Sequence, residues 1–359
     1  MPEADPPVAD HNFDIVSCLL AGRSGKYDYM KILKYQTLSQ TGEIVLLKRL
    51  CRKLPLRNDV MVGAGDDCAV VRGMPADEYD YLLKSDGVVE GVHFKPSAKP
   101  ELVGNKALGR VLSDMAAMGG EPLWILIDLV APGTCSVKRI EGIYAGMGKL
   151  VRKFGASIVG GDVSSGKELQ LHVFGVGRVK KGNAVLRSGA KPGDAIFVTG
   201  SLGGSLAGKH LSFQPRLLEG QWLARGKWAT AMIDISDGLL RDLGHIVSAS
   251  GAGARVMFDK IPVSDNPPRP PAADTPPLEG TLKELRIRAY HALSDGEDYE
   301  LLFTVPARKV KVFMKAWQRA FKLACVQIGW ITAHAGHLEG IDSAGKIIKL
   351  DEAGFEHFR

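Results

Sequence analysis

Apolar runs of strand length alternate along this chain with segments of helical period, and that alternation predicts an α/β (α+β) fold. Two further observations sharpen it. The chain has 359 residues, enough for two domains at about 100–200 residues each. Glycine accounts for 42 of them, about 12% against an ordinary usage of about 7%, so many tight turns and close backbone approaches are expected.

Residues 1–36 carry no clear period and read as an extension, flexible and outside the folded body. Ile44, Leu47, Leu50 and Leu54 share one helical face. The turn Gly63-Ala64-Gly65-Asp66-Asp67 leads into an apolar strand over 68–71, and a second strand over 81–83 ends at Lys84-Ser85-Asp86-Gly87. Residues 101–118 read as a helix that buries Leu108, Val111, Leu112 and Met115, and 123–130 suits a buried strand. The clearest helix is capped by Ser136, carries Ile140, Ile143, Tyr144, Met147, Leu150, Val151 and Phe154 on one face, and stops at Gly155. A strand over 157–159 runs into Gly160-Gly161-Asp162, and 170–179 is a longer strand.

The basic stretch 180–193 separates the halves, which sets the domains at 37–180 and 181–359. In the second half, strands over 195–198, 231–233, 254–258, 301–305 and 325–328 alternate with helices, including one from Leu239 to the stop at Gly251 and one over 307–321. Seven prolines mark 262–280 as an exposed loop.

Composition removes several classes of function. The net charge of +6 is spread out, with no Lys/Arg block, so no nucleic-acid partner is expected. The five cysteines are scattered and form no C-x-x-C pair, which argues against a disulfide framework or a zinc site and for a reducing compartment, the cytoplasm. No apolar stretch reaches about 18 residues, so no membrane span is expected. The early run 15–21 is broken by Ser17 and lacks a basic leader, so no signal peptide is expected either.

The aspartates carry the chemistry. Asp66, Asp67, Asp86, Asp162, Asp234 and Asp237 fall at or just past the ends of apolar strands, where α/β folds bind ligands. Asp114 is embedded in an apolar helical run. Converging carboxylates repel and take up protons unless a cation neutralises them. An all-oxygen donor set suits Mg²⁺, which binds through a few carboxylates plus substrate phosphates. Asp also caps turns and helices, and that alternative covers any one of the seven; it suits Asp114 least, because a buried helical carboxylate needs a partner. The segment from Gly203 to Lys209 has P-loop spacing, but His210 stands where Mg²⁺ would need Ser or Thr, so its glycines read as the start of a helix near a strand. His334 and His337 lie among Gly and Ala and read as a surface turn, and none of the cysteines has an activating partner.

Seven motifs then occur in order: Gly65-Asp66-Asp67-Cys68-Ala69, Ser85-Asp86-Gly87 through His93-Phe94, Leu112 to Gly119, Gly160-Gly161-Asp162, Arg187 to Asp194, Ile233 to Leu239, and Gly296-Glu297-Asp298-Tyr299-Glu300-Leu301. Together they resemble the thiamine-monophosphate kinase family, within the aminoimidazole ribonucleotide synthetase-like superfamily, over roughly residues 38–359. The resemblance implies ATP-dependent phosphorylation of thiamine monophosphate to thiamine diphosphate on a two-domain fold, with the N-terminal sheet pairing in a homodimer. It further implies several Mg²⁺ ions on Asp67, Asp86, Asp114, Asp162 and Asp234, with Ser85 and Asp237 adding contacts. By the same resemblance Tyr144, Gly161, Asp162, Arg187 and Ser236 meet ATP, and His93, Glu297 and Phe355 line the thiamine-phosphate pocket.

Two departures stand out: Lys84 occupies a place where the family often has a Ser that touches metal, and Asp295 replaces a usual Gly. The competing readings are another ATP-dependent synthetase of the superfamily and a non-catalytic nucleotide-binding regulator on the same fold.

The residues agree with phosphoryl transfer on chemical grounds. A phosphomonoester with a second pKa near about 6 is already mostly dianionic at neutral pH, so the acceptor needs no general base. No His or Cys is cast as a catalytic residue, and positioning and electrostatics carry the reaction.

Overall fold

The structure, a computed structural model, describes residues 43–51, 55–265, 287–342 and 344–350. Residues 1–36, most of the proline-rich stretch 262–280, and Phe355 lie outside the described residues. Helix α1 (Glu43–Cys51) belongs to a unit of its own and leaves Leu47 and Leu50 exposed. The remaining elements form one compact unit built on two sheets.

The first sheet has six strands: β1 (Val60–Val62), β2 (Ala69–Val71), β3 (Tyr79–Val89), β4 (Glu121–Ala131), β5 (Ser157–Ser165) and β6 (Gln170–Lys180), in the order β1-β2-β3-β6-β4-β5. Its pairings are antiparallel except β4–β5, which are joined through helix α3 (Val137–Phe154) in a βαβ crossover. Ser136 caps α3 by accepting the Arg139 amide, and Gly155 ends it in a left-handed turn, as its sequence signals require. Helix α2 (Pro100–Ala117) and α3 cover one face of this sheet. They approach so closely that a Cβ on Gly104 would lie 1.9 Å from the Ile143 carbonyl oxygen, and one on Gly146 2.0 Å from that of Glu101. The opposite face stays open, with Trp124 and Leu126 exposed on it.

The second sheet has seven strands: β7 (Ala195–Thr199), β8 (Ala231–Asp234), β9 (Gly253–Met257), β10 (Leu301–Val305), β11 (Cys325–Thr332), β12 (Leu338–Ile341) and β13 (Ile347–Leu350). Their order is β13-β12-β9-β11-β7-β10-β8, and β9–β12 is the parallel pair. The central β7 and β10 are buried throughout. On one face, Ile196, Val198, Ile233 and Leu302 pack with Leu239, Leu243 and Ile246 of helix α6 (Leu239–Ser250). On the other, Phe197 and Phe303 stack 5.7 Å apart and meet Phe313 and Trp317 of helix α8 (Val310–Ala320). That core runs on without a break into the helices over the first sheet, so α2 is shared between both halves. Helices α4 (Lys209–Ser212) and α5 (Leu217–Arg225) pack against it, and α7 (Ile287–Ser294) follows the residues not described.

Several elements outrun their sequence signals. The 81–83 strand extends over Tyr79–Val89, so Ser85 and Asp86 sit inside β3 instead of past its end. The 157–159 strand likewise continues through Gly160-Gly161-Asp162. In both cases an eight- to eleven-residue ladder with the neighbouring strand overrides the local glycines and charges. Strands β1, β12 and β13 and helix α7 carried no signal that was read.

Candidate functional site

Three buried carboxylates meet where α2 crosses between the sheets. Asp67 follows the glycine turn before β2, Asp114 lies in the buried half of α2, and Asp234 closes β8. Each offers an oxygen, and these oxygens all lie within 4.8 Å of one another. The trio is 1%, 7% and 3% exposed respectively, so little water screens the repulsion. Burial, and then the Asp67 charge, pushes the Asp234 carboxyl up to about 7. Burial likewise drives Asp114 well above the usual carboxylate range. The Ser113 hydroxyl donates to Asp234 Oδ2 at 2.6 Å. Among the described residues, Asp67 Oδ2 is buried with no hydrogen-bond partner.

Two cations border the trio. Arg187 Nη2 donates to Asp67 Oδ1 at 2.7 Å, while the Arg187 amide donates to Asp66 Oδ2 at 3.1 Å and the Asp67 amide to Asp66 Oδ1 at 2.9 Å. Asp66 therefore fixes the turn against the loop that carries Arg187. Burial opposes the Arg187 charge, yet the adjoining Asp67 carboxylate raises its pKa. Lys84 Nζ lies 2.9 Å from Asp114 Oδ1.

Strand alternation decides which β3 side chains share this space. Leu82 and Val88 are buried beneath the helices, and Lys84 and Asp86 are on their side of the strand. Ser85 points to the open face and is exposed. Asp86 accepts Arg110 Nε at 3.0 Å. From this strand it is Lys84, and not Ser85, that reaches the trio.

The other candidates sit elsewhere. Asp162 is exposed on the edge strand β5, opposite Asp128, and accepts the Ser164 hydroxyl at 3.0 Å. Gly161 has a φ of +153°, and a Cβ there would lie 1.9 Å from the Ile127 carbonyl oxygen, so glycine is required for β5 to pair with β4. Tyr144 is half-buried on α3, where burial and then the Asp128 charge raise its pKa. Asp237 belongs to a second acidic group with Asp242 and His245, beside Arg241. Asp242 Oδ2 accepts the amides of Ser236 and Asp237, holding the Ser236 loop in place.

His93 and Glu297 are brought together by a residue the sequence reading passed over. Lys106, fully buried on α2, donates to the His93 carbonyl at 2.6 Å and to Glu297 Oε2 at 2.7 Å. Burial lowers its pKa against the pull of Glu297. Glu297 and Tyr299 both take left-handed φ values, +65° and +52°, a strained pair held by Phe213 stacking on Tyr299 at 3.9 Å and by the Glu297 amide donating to the Ser236 carbonyl. Phe355 lies outside the described residues.

The P-loop-like segment serves packing. Lys209 Nζ pairs with Glu300 at 3.1 Å and donates to the Ser201 carbonyl, and His210 Nδ1 meets the Ser205 carbonyl at 3.0 Å. His334 and His337 are exposed in the turn between β11 and β12. The four described cysteines form no disulfide.

Residues 65–179 match the family model of the AIR synthase related protein, N-terminal domain. Thiamine-monophosphate kinase of Salmonella typhimurium is 36% identical over 342 residues, covering 88% of this chain and 98% of that protein. The Aquifex aeolicus enzyme is 32% identical over 348 residues, covering 91% and 100%. Among solved structures, AaThiL complexed with AMPPCP and TMP has 30% identity and a TM-score of 0.71 over 90% of this chain and 99% of that one. Thiamine-monophosphate kinase from Stenotrophomonas maltophilia K279a has 30% identity and a TM-score of 0.63, over 84% and 96%.

Proposed function

Because this chain belongs to the thiamine-monophosphate kinase family, we propose that its buried aspartate trio is the Mg²⁺ site beside which ATP and thiamine monophosphate react. The chain is a thiamine-phosphate kinase, converting thiamine monophosphate to thiamine diphosphate at the expense of ATP. The observation that carries the metal assignment is the convergence of three buried carboxylates, one of which, Asp67, has an oxygen with no hydrogen-bond partner among the described residues. A donor set of oxygens alone fits Mg²⁺. Asp67, Asp114 and Asp234 would hold it, with Asp86, Asp162 and Asp237 as further donors for a group of ions, whereas Ser85 lies on the other face of β3 from the trio. Bound there, Mg²⁺ supplies the positive charge that lets two polyanions approach.

The residues of the chain do the rest. A terminal oxygen of the substrate phosphate bonds to the γ-phosphorus as the bond to the β-bridging oxygen breaks, and ADP departs with that electron pair. On the order of six negative charges gather in this encounter. Arg187, beside Asp67 at the edge of the trio, is placed to offset part of them. We assign Tyr144, Gly161, Asp162, Arg187 and Ser236 to ATP. His93, Glu297 and Phe355 are assigned to thiamine monophosphate. The Glu297 carboxylate is shared with Lys106, so it meets the cationic thiazolium as half of a pair.

The halves 37–180 and 181–359 are proposed as its two domains, the first contributing a dimer contact. The exposed apolar Trp124 and Leu126 on the open sheet face, with Val159 and Val163 at its edge, support a second copy of the chain as the cover. Among the described residues no helix is long and apolar enough to cross a membrane.

The test is a coupled assay of purified protein with thiamine monophosphate, ATP and Mg²⁺. ADP and thiamine diphosphate should appear in equal amounts, and free thiamine, whose hydroxyl is not ionised, should be a poor acceptor. Comparable turnover of free thiamine, or none of the monophosphate, would overturn it.

A further inference from the structure

The acidic trio already holds two cations, and both are side chains. Lys84 reaches Asp114 Oδ1 from β3 at 2.9 Å, with 24% of its side chain exposed. Arg187 Nη2 reaches Asp67 Oδ1 at 2.7 Å. Three carboxylates then face two positive side chains, so at most one negative charge is left unbalanced. That is a weak field for a free divalent ion, which must also shed tightly held water to enter. It would approach an ammonium of like sign within the same small space. The two side chains differ in how firmly they are held. Arg187 is anchored at its amide as well as its guanidinium. Lys84 is a point charge on a flexible stem, part of it open to solvent.

We propose that Lys84 is a tethered cation that occupies Asp114 in the nucleotide-free protein and keeps free divalent ions off the trio until one arrives with a nucleotide. This rests on the trio being the Mg²⁺ site. A nucleotide-bound ion brings phosphate oxygens that complete its ligand shell, and a negative charge for the displaced ammonium to follow. Lys84 thereby couples metal entry to nucleotide entry.

The test is Mn²⁺ binding followed by electron paramagnetic resonance, with and without ADP, for the wild type, Lys84→Met and Lys84→Arg. Without nucleotide, Lys84→Met should bind Mn²⁺ at least about tenfold more tightly than the wild type, because a like charge has left the site. Lys84→Arg, which keeps the charge, should stay near the wild type. With ADP the gap between wild type and Lys84→Met should close to within about threefold. Equal nucleotide-free affinity in wild type and Lys84→Met, with Mn²⁺ bound by both when ADP is present, would overturn the proposal and leave the metal site standing. Absence of Mn²⁺ binding by the wild type even with ADP would overturn the metal site and the proposal with it.

Should Lys84→Met fail to fold, nitrogen-15 lysine spectra of the wild type decide. The Lys84 ammonium signal should move on saturation with Mg-ADP and stay in place with the same concentration of Mg²⁺ alone. Equal movement with Mg²⁺ alone, or none with Mg-ADP, would contradict it.

Discussion

Asp234 and Glu300 occupy neighbouring strand ends in the second sheet: Asp234 closes β8 opposite Leu301, the residue that follows Glu300. Both are buried, at 3% and 1% exposure. Glu300 accepts the Thr199 hydroxyl at 2.8 Å, Lys209 Nζ at 3.1 Å, and Arg216 Nε and Nη2 at 2.7 and 2.6 Å. Asp234 accepts the Ser113 hydroxyl and otherwise lies with Asp67 and Asp114, the three offering oxygens within 4.8 Å of one another. A carboxylate kept for structure is surrounded by donors until its charge is met. One kept for a ligand is left short of donors, and its raised pKa records the shortfall.

Substitutions on the two sides of this contrast should fail in opposite ways. Asp67→Asn keeps the shape and removes a metal donor. It should lower kcat by about 10³- to 10⁴-fold, roughly 4–5.5 kcal/mol on the barrier. The melting temperature without divalent ions should stay close to wild type, because relief of the repulsion with Asp114 and Asp234 offsets the weakened pair with Arg187. Loss of activity in step with loss of folded protein would place Asp67 with Glu300. Glu300→Ala strands two buried cations and should cost about 3–5 kcal/mol in denaturant unfolding. The activity of the folded fraction should stay within about threefold of wild type. A stable but inactive Glu300→Ala would reverse the comparison.

The pH dependence sharpens it further. A carboxyl whose folded pKa is raised from about 3.9 to about 7 holds its proton more tightly when folded. Its contribution is complete below the unfolded value and is lost as pH rises through the folded one. Without divalent ions, the stability of wild type relative to Asp234→Asn should therefore fall between about pH 4 and 7, by on the order of 2–4 kcal/mol. Mg-ADP should flatten that slope. A difference independent of pH would show that Asp234 is ionised throughout.

The smallest effect is expected at Glu297. Glu297→Gln leaves Lys106 buried beside a neutral amide and should cost about 1–3 kcal/mol of stability. KM for thiamine monophosphate should rise about tenfold while KM for ATP stays within about twofold. An equal rise in both would show that the residue supports the fold or the metal site.

The parts of this site legible in sequence are those announced by a local conflict. Asp114 stood out because a carboxylate interrupts an apolar helical face, and Asp67 and Asp234 because each adjoins the end of a short apolar strand. Helix α3 was legible to both ends because its cap, stripe and terminating glycine agree. What stayed hidden depends on residues far apart in the chain. Lys106 reads as one more helical lysine until Glu297, 191 positions on, is folded against it. The reach of β3 and β5 through Asp86 and Asp162 comes from hydrogen bonding to β6 and β4, which side-chain periodicity does not report. Which of Lys84 and Ser85 faces the trio follows from strand phase, and that phase was invisible once the strand was ended at Leu83.

The most direct test of the trio as a metal site is the unfolding free energy of wild type and Asp114→Asn, each with and without Mg-ADP. Wild type should gain about 2.7 kcal/mol at a ligand concentration of about 100 Kd. Asp114→Asn, with one of three donors gone, should gain little at the same concentration. A variant stabilised as much as the wild type would contradict the assignment and return Asp114 to a structural role.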